Sequence, residues 1–214
     1  MIKRLRNRFY KITLAALPLR LYPHLLFGAS FAILFMLSAA SYAETVRGTV
    51  QLKGEDDAEN IVVYIEYAEG TFIPPEQHPI MDQIDLTFVP YVLPILLGTT
   101  VDFHNSDDVL NNIFTPSWAG HKFNLGTYPK GVVRSFTFDR LGEVALLCNI
   151  HPDMEAYILV LQNPYFAIPD REGKYRINNV PPGEYNLMMW YKRKTSPAHA
   201  ITVEKARETV VDFR

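Results

Sequence analysis

A seven-residue stretch of the chain, CNIHPDM, places three side chains that bind soft metal ions close together. Cys148 is the only cysteine in the sequence, His151 follows it by three residues, and Met154 follows by three more. Thiolate and thioether sulfur favour Cu(I), and imidazole suits copper in both oxidation states. Two histidines and a cysteine around copper, with a weak axial methionine, form the blue sites that transfer electrons. The stretch therefore predicts a copper site.

A simpler interpretation of the same stretch needs no metal. Cys148 would be a small buried hydrophobic residue, Met154 would fill the core, and His151 would be an ordinary loop residue, since free cysteine is often buried and inert. The joint spacing of the three residues, on one loop between two strands, favours the metal interpretation.

The elements around this loop are predicted to be strands. EVALLC (143–148) precedes the loop and EAYILVL (155–161) follows it, and both are short, apolar or alternating segments rich in β-branched residues. Similar segments recur from residue 46 to residue 213, separated by Gly, Pro, Asn and Asp, and no long segment of helical period follows residue 44. This pattern predicts an all-β fold of the sandwich or barrel type.

The strands are expected to form two sandwiches. Residues 44–80 supply too few strands for a core, because an isolated hairpin is marginally stable. We expect them to pair with residues 163–214, which would make residues 81–162, with the metal-binding loop, an insertion within a second β-sandwich.

The first 43 residues have the features of a secretory signal peptide. Six Lys or Arg and no acidic residue occur there, an apolar run extends from Leu25 to Ala40, and Ser41-Tyr42-Ala43 forms a small-x-small cleavage site. We expect cleavage after Ala43 and a periplasmic or secreted protein. The alternative is an uncleaved signal anchor, which would hold the protein at a membrane.

The net charge of the mature chain indicates which kinds of partner it can bind. Six of the 21 Lys and Arg precede residue 44, which leaves 15 against 23 Asp and Glu, a formal net charge of −8. This acidic balance argues against binding to nucleic acid or to anionic membrane surfaces and suits a basic protein partner. A single cysteine excludes an intramolecular disulfide, so the thiol is expected to be protected, reactive or paired between chains.

Three longer segments resemble bacterial plastocyanin-like cupredoxins of the methylamine-utilisation type: MDQIDLTFVPYVLPILLGTTVDFHNSDD, FNLGTYPKGVVRSFTFDRLGEVALLCNIHPDMEAYILV and NPYFAIPDREGKYRINNVPPGEYNLMMWY. The resemblance implies a Greek-key cupredoxin sandwich, with flanking strands that form a carboxypeptidase-regulatory-like β-sandwich. It also implies that Cys148, His151 and Met154 are copper ligands.

The chain departs from the family pattern at the fourth ligand. Where the family has a His-Asn pair, this sequence has Asn111-Asn112, so the upstream ligand becomes Asn111. An amide oxygen is a harder and weaker donor for copper than imidazole. His104 and His121 are the alternative ligands, although strand alternation predicts that His104 points outward.

Three functions are compatible with these features. The first is an exported copper protein that transfers electrons through the exposed edge of His151 to a redox protein partner. The second is a Cu(I) binding or delivery protein, and the third is a metal-free binding or structural module. No catalytic motif occurs, so we expect no enzyme activity, and the sequence does not predict the oligomeric state.

Overall fold

The computed structural model describes residues 44–51, 58–116 and 122–214, and the predicted signal peptide lies outside them. The described residues form seventeen strands and a 3-10 helix at Ala58–Asn60. The strands are β1 (Glu44–Thr49), β2 (Ile61–Ile65), β3 (Ile80–Ile84), β4 (Thr87–Val89), β5 (Val92–Leu96), β6 (Thr100–His104), β7 (Asn111–Phe114), β8 (Asn124–Tyr128), β9 (Val133–Thr137), β10 (Gly142–Leu147), β11 (Glu155–Leu161), β12 (Phe166–Ala167), β13 (Lys174–Val180), β14 (Gly183–Tyr191), β15 (Lys194–Thr195), β16 (His199–Val203) and β17 (Thr209–Val210). The predicted all-β fold class is confirmed. In the described part of the chain, no helix has the length and hydropathy needed to cross a membrane.

Residues 80–161 form the sandwich that contains the CNIHPDM loop. One sheet has the strand order β5-β11-β10-β7-β8, and the other has the order β4-β3-β6-β9. Side chains alternate between the two faces of each strand, so Val101 and Phe103 of β6 and Val144 and Leu146 of β10 point into a common core. Cys148 continues the inward-facing positions of β10, which places its thiol at the end of that core.

The remaining strands come from the two ends of the described chain and form a second sandwich. Its sheets have the orders β13-β1-β17 and β12-β2-β14-β15, with β16 beside β14. Thus β1 pairs with β13, and β2 pairs with β14. A separate apolar cluster fills the space between these sheets; it includes Val46, Ile61, Ile177 and Leu187.

A third apolar cluster joins the two sandwiches. Trp190 of β14 packs on Tyr157 of β11 with ring centroids 5.3 Å apart, and Val62 and Val92 lie in the same cluster. The Trp190 indole N–H donates a hydrogen bond of 2.8 Å to Glu143 of β10. Because this packing makes the two sandwiches continuous, the domain boundaries at residues 80 and 162 stay a prediction.

Candidate metal centre

The loop between β10 and β11 is a tight reversal that returns the chain within seven residues. The Met154 N–H donates a hydrogen bond of 3.1 Å to the His151 carbonyl, which closes a four-residue turn. Pro152 occupies the second position of this turn, where its fixed φ is already suitable and its missing N–H is not needed. The turn therefore brings His151 and Met154 back towards the end of β10.

The structure brings Cys148 and His151 into contact and places Met154 in the same core cluster as Cys148. Cys148 and Met154 are 4% and 1% exposed and belong to the core cluster of the first sandwich, whereas His151 is half-buried. The Cys148 Sγ lies 3.8 Å from the Nδ1 of His151. A thiol and an imidazole therefore meet at the boundary between the core and the solvent.

The separation of these two atoms agrees with the size of a metal ion. Metal–sulfur and metal–nitrogen bonds of about 2.3 and about 2.0 Å, meeting at about 120°, would separate sulfur and nitrogen by roughly 3.7 Å. The observed distance of 3.8 Å fits one ion shared by Cys148 and His151. Without an ion, the same contact is a weak hydrogen bond between thiol and imidazole.

Asn111 begins β7 at the same end of the sandwich. Phe114, the last residue of β7, pairs with Leu147, the last residue of β10, in antiparallel register. The start of β7 therefore extends past the end of β10, on the side of the CNIHPDM loop. Asn111 is two residues from the buried Ile113, which belongs to the same core cluster as Cys148. Because side chains of a strand alternate, Asn111 and Ile113 share the face that looks towards that cluster.

A β-bulge near Asn111 leaves this alternation intact. The register between β7 and β8 shifts between Asn112 and Phe114, and the additional residue lies on β8. Gly126 of β8 has a φ of 74°, which glycine adopts without strain. The irregularity therefore belongs to β8, and β7 keeps Asn111 on the inner face and Asn112 on the outer one.

The side chain of Asn111 is fully buried, and only the NH2 half of its amide forms hydrogen bonds with described residues. Its Nδ2 donates hydrogen bonds to Asp107 Oδ2 at 2.8 Å and to Asn105 Oδ1 at 3.2 Å. Its Oδ1 has no hydrogen-bond partner among the described residues. An unsatisfied buried acceptor of this kind costs about 1–3 kcal/mol, so its presence calls for an explanation such as a bound ion.

Tyr128 links Cys148 to the same region. Tyr128 of β8 pairs with Asn111, and its hydroxyl accepts a hydrogen bond of 2.8 Å from Gln83. Burial raises the pKa of the Tyr128 phenol. Tyr128 and Cys148 belong to the same core cluster, so Asn111 starts its strand beside a side chain that packs in the core with Cys148.

The two alternative histidines do not join this group. Val101 and Phe103 are fully buried, whereas His104 lies on the opposite, partly exposed face of β6, as strand alternation predicts. The pKa of the nearby Asp102 is lowered chiefly because its carboxylate accepts a hydrogen bond from Ser135, and His78 and His104 lower it further. His121 lies outside the described residues, so its role as a ligand stays a prediction.

Two residues that hold Asn111, Asp107 and Asn105, were not among the ligands or supporting residues predicted from the sequence. The polar spacing Asn105-x-Asp107-x3-Asn111, immediately before a strand, is the signal that could have indicated a network. Both residues are nearly buried, at 1% and 9% exposure, which a simple surface turn would not require.

The donor set is unusual in its composition. In the described part of the chain, no three side chains of His, Cys, Asp and Glu are close enough together to hold a metal ion. A site here therefore depends on the thioether of Met154 and on the amide oxygen of Asn111, in addition to Cys148 and His151. This combination of one thiolate, one thioether and one imidazole suits copper better than it suits a hard cation.

The sequence matches no family model, and no curated protein is similar enough to count as a relative. Similar solved structures include a copper-containing nitrite reductase from Thermus scotoductus SA-01, which is 26% identical over 46% of this chain with a TM-score of 0.40. That similarity spans 25% of the reductase chain, so this protein corresponds to a quarter of the enzyme's length. A reduced mutant of amicyanin is 19% identical over 40% of this chain and 84% of its own, with a TM-score of 0.38. A purple cupredoxin from Nitrosopumilus maritimus is 24% identical over 38% of this chain and 98% of its own, with a TM-score of 0.36. All three likenesses concern less than half of this chain, so its function has to follow from its own side chains.

Proposed function

We propose that this protein is an exported, cupredoxin-like copper protein that transfers electrons and has no catalytic activity of its own. Its ligands are Cys148, His151 and Met154, and the Oδ1 of Asn111 takes the place of a second imidazole. The observation that carries the proposal is the 3.8 Å contact between Cys148 Sγ and His151 Nδ1 at the buried end of the sandwich.

Each side chain has a distinct task in this proposal. Burial of Cys148 and Met154 keeps water away from two sulfur donors that favour Cu(I). The half-buried ring of His151 provides a route between the site and the surface, and the turn through Pro152 holds the ring in place. Copper at this site would supply a one-electron couple between Cu(I) and Cu(II).

The surface around the site supports a protein partner. Ile150 precedes His151 and is 44% exposed, while Val109 and Leu110 precede Asn111 and are 46% and 54% exposed. Exposed apolar side chains grouped at one end of a domain are a common feature of interaction sites. We infer that a redox protein docks at this end, against the half-buried His151.

A second candidate is a Cu(I) binding or delivery protein. The observation that favours it is that no second imidazole joins Cys148 and His151 among the described residues, where the fourth donor available is the amide of Asn111. A thiolate, a thioether and one imidazole satisfy Cu(I), and delivery requires no change of oxidation state. In both candidates the same side chains bind the metal, and only the redox behaviour differs.

Copper titration of the purified protein separates these possibilities. For an electron carrier we expect one bound copper per chain, a visible thiolate-to-Cu(II) charge-transfer band, and reversible reduction. Tight Cu(I) binding without that band would favour delivery, and Cys148→Ser should abolish binding in both cases. A protein that binds no copper, and whose Cys148 titrates freely when copper is present, would contradict both and leave a metal-free module.

A further inference from the structure

We propose that Asp107 is a positioning residue of the copper site: it holds the Asn111 amide so that the buried Oδ1 faces the ion. The inference rests on the proposed copper function and adds to it a residue that does not touch the metal. It depends on which atom of the Asn111 amide faces which neighbour, and the hydrogen bonds determine that orientation.

A carboxylate accepts hydrogen bonds and cannot donate one. The Asp107 Oδ2 lies 2.8 Å from the Nδ2 of Asn111, so the atom facing it has to be the NH2 group. Turning the amide around would bring its oxygen against the carboxylate oxygen, which is repulsive. Asp107 thereby determines that the nitrogen of Asn111 faces the carboxylate and that the Oδ1 of Asn111 faces away from it.

Asn105 imposes the same orientation independently. Its Nδ2 donates to the carbonyls of Val109 and Tyr128, at 3.0 and 2.9 Å, so its own amide cannot turn without losing both bonds. Its Oδ1 is therefore the atom that faces Asn111, and it accepts the second N–H of that residue at 3.2 Å. Asp107 and Asn105 thus each present an acceptor oxygen to Asn111, and both require its NH2 group to face them.

Asp107 is itself held in place. Its backbone N–H donates to Asn105 Oδ1 at 3.0 Å, and its carboxylate accepts the Leu86 N–H at 3.2 Å. These hydrogen bonds fix the position of the Asp107 carboxylate, as is common for carboxylates that accept hydrogen bonds from metal ligands. Asn111 Oδ1, which has no partner among the described residues, is the acceptor that this arrangement leaves available.

Asp107→Asn is the substitution that tests this role. It keeps the size of the side chain, but it replaces a charged acceptor of the Asn111 N–H by a neutral amide, which accepts more weakly through its oxygen and repels that N–H through its NH2 group. The Asn111 amide is then held firmly by Asn105 alone, and we expect copper to bind about 10- to 100-fold more weakly, as for other residues that support a metal ligand. We also expect changed d–d bands when Co(II) replaces copper, because the oxygen donor is held less firmly while the thiolate remains.

Asp108→Asn is the matched control. Asp108 is the neighbouring residue, its side chain is 89% exposed, and it pairs with Lys130 at the surface. The same chemical change there should leave copper affinity and the Co(II) spectrum unaltered. The thermal midpoints of the metal-free proteins show whether each variant is folded.

A double-mutant cycle with Asn111→Leu separates positioning from a general structural effect. Without an amide at residue 111, Asp107→Asn should change copper affinity less than twofold. If its effect is the same in both backgrounds, or if it leaves affinity and spectrum unchanged in the native background, Asp107 does not position the ligand. Such results would leave the copper function intact, whereas a native protein that binds neither Cu(I) nor Cu(II) would overturn both proposals.

Discussion

Asn111→His tests the fourth position of the site most directly. The substitution exchanges a buried amide oxygen for imidazole, the donor that blue-copper sites use. Asp107 is already placed to accept the imidazole N–H, which leaves the other ring nitrogen for the ion, in the arrangement common for metal-bound histidine. We therefore expect Cu(II) to bind at least about tenfold more tightly, a gain of about 1.4 kcal/mol.

The same substitution should weaken the metal-free protein. A neutral imidazole has one N–H, so one of the two hydrogen bonds from Asn111 is lost, at about 1 kcal/mol. The larger ring adds about 1–3 kcal/mol of overpacking at a fully buried position, and the ring nitrogen left for the ion is as unpaired in the metal-free protein as Oδ1 was. The net loss of about 2–4 kcal/mol corresponds to a fall of roughly 4–16 °C in the thermal midpoint.

The assay is a Cu(II) titration followed by the charge-transfer band, with calorimetry of the metal-free forms. Asn112→His is the matched control, because Asn112 is equally buried on the same strand and faces the other side, where it donates to Asn124. It should change neither affinity nor colour, and Cys148→Ser should remove the gain produced by Asn111→His. Unchanged affinity and spectrum in Asn111→His itself would refute the placement of Asn111 at the site.

Three further predictions concern other parts of the molecule. Cys148 is 4% exposed, so a maleimide should label it slowly in the native protein and quickly in denaturant, and non-reducing gels should show no covalent dimer as the main species. Trp190→Ala should destabilise the protein by about 3–5 kcal/mol in denaturant unfolding, because it empties the cluster between the sandwiches, whereas Trp190→Phe should have a smaller effect. Burial raises the pKa of Tyr128, so its contribution to stability is complete below the unfolded value of about 10 and is lost at higher pH. The free energy of unfolding should therefore fall above about pH 10. If the free energy of unfolding of a Tyr128→Phe variant falls as steeply with pH in this range as that of the native protein, the prediction is wrong.

The loop and its flanking strands could be predicted because their signals are local. Segments 143–148 and 155–161 were expected to be strands, and the structure has Gly142–Leu147 and Glu155–Leu161. Apolar alternation along the first strand and Pro152 in the turn carry this information within a few residues. The contact between Cys148 and His151 follows from the same local pattern.

The residues that hold Asn111 could not be predicted in this way. Their contacts with Asn111 lie within the irregular loop between β6 and β7, where no alternation pattern applies, and Asn105 is fixed there by a long-range hydrogen bond to the Tyr128 carbonyl of β8. Strands β3 to β5 were not singled out from the sequence either. Pro94 lies in β5, which is an edge strand of its sheet, and an edge tolerates the missing N–H of proline.

The donor set also predicts the redox behaviour of the site. Cys148 and Met154 present two buried sulfur atoms, which favour Cu(I), and the amide oxygen of Asn111 is a weak substitute for the imidazole that would stabilise Cu(II). The native site should therefore have a higher reduction potential than its Asn111→His variant, in which the second imidazole restores the balance towards Cu(II). Voltammetry of the two proteins at one pH measures the difference. A lower potential in the native protein would mean that the Asn111 oxygen, held by Asp107, stabilises the oxidised ion more effectively than imidazole does.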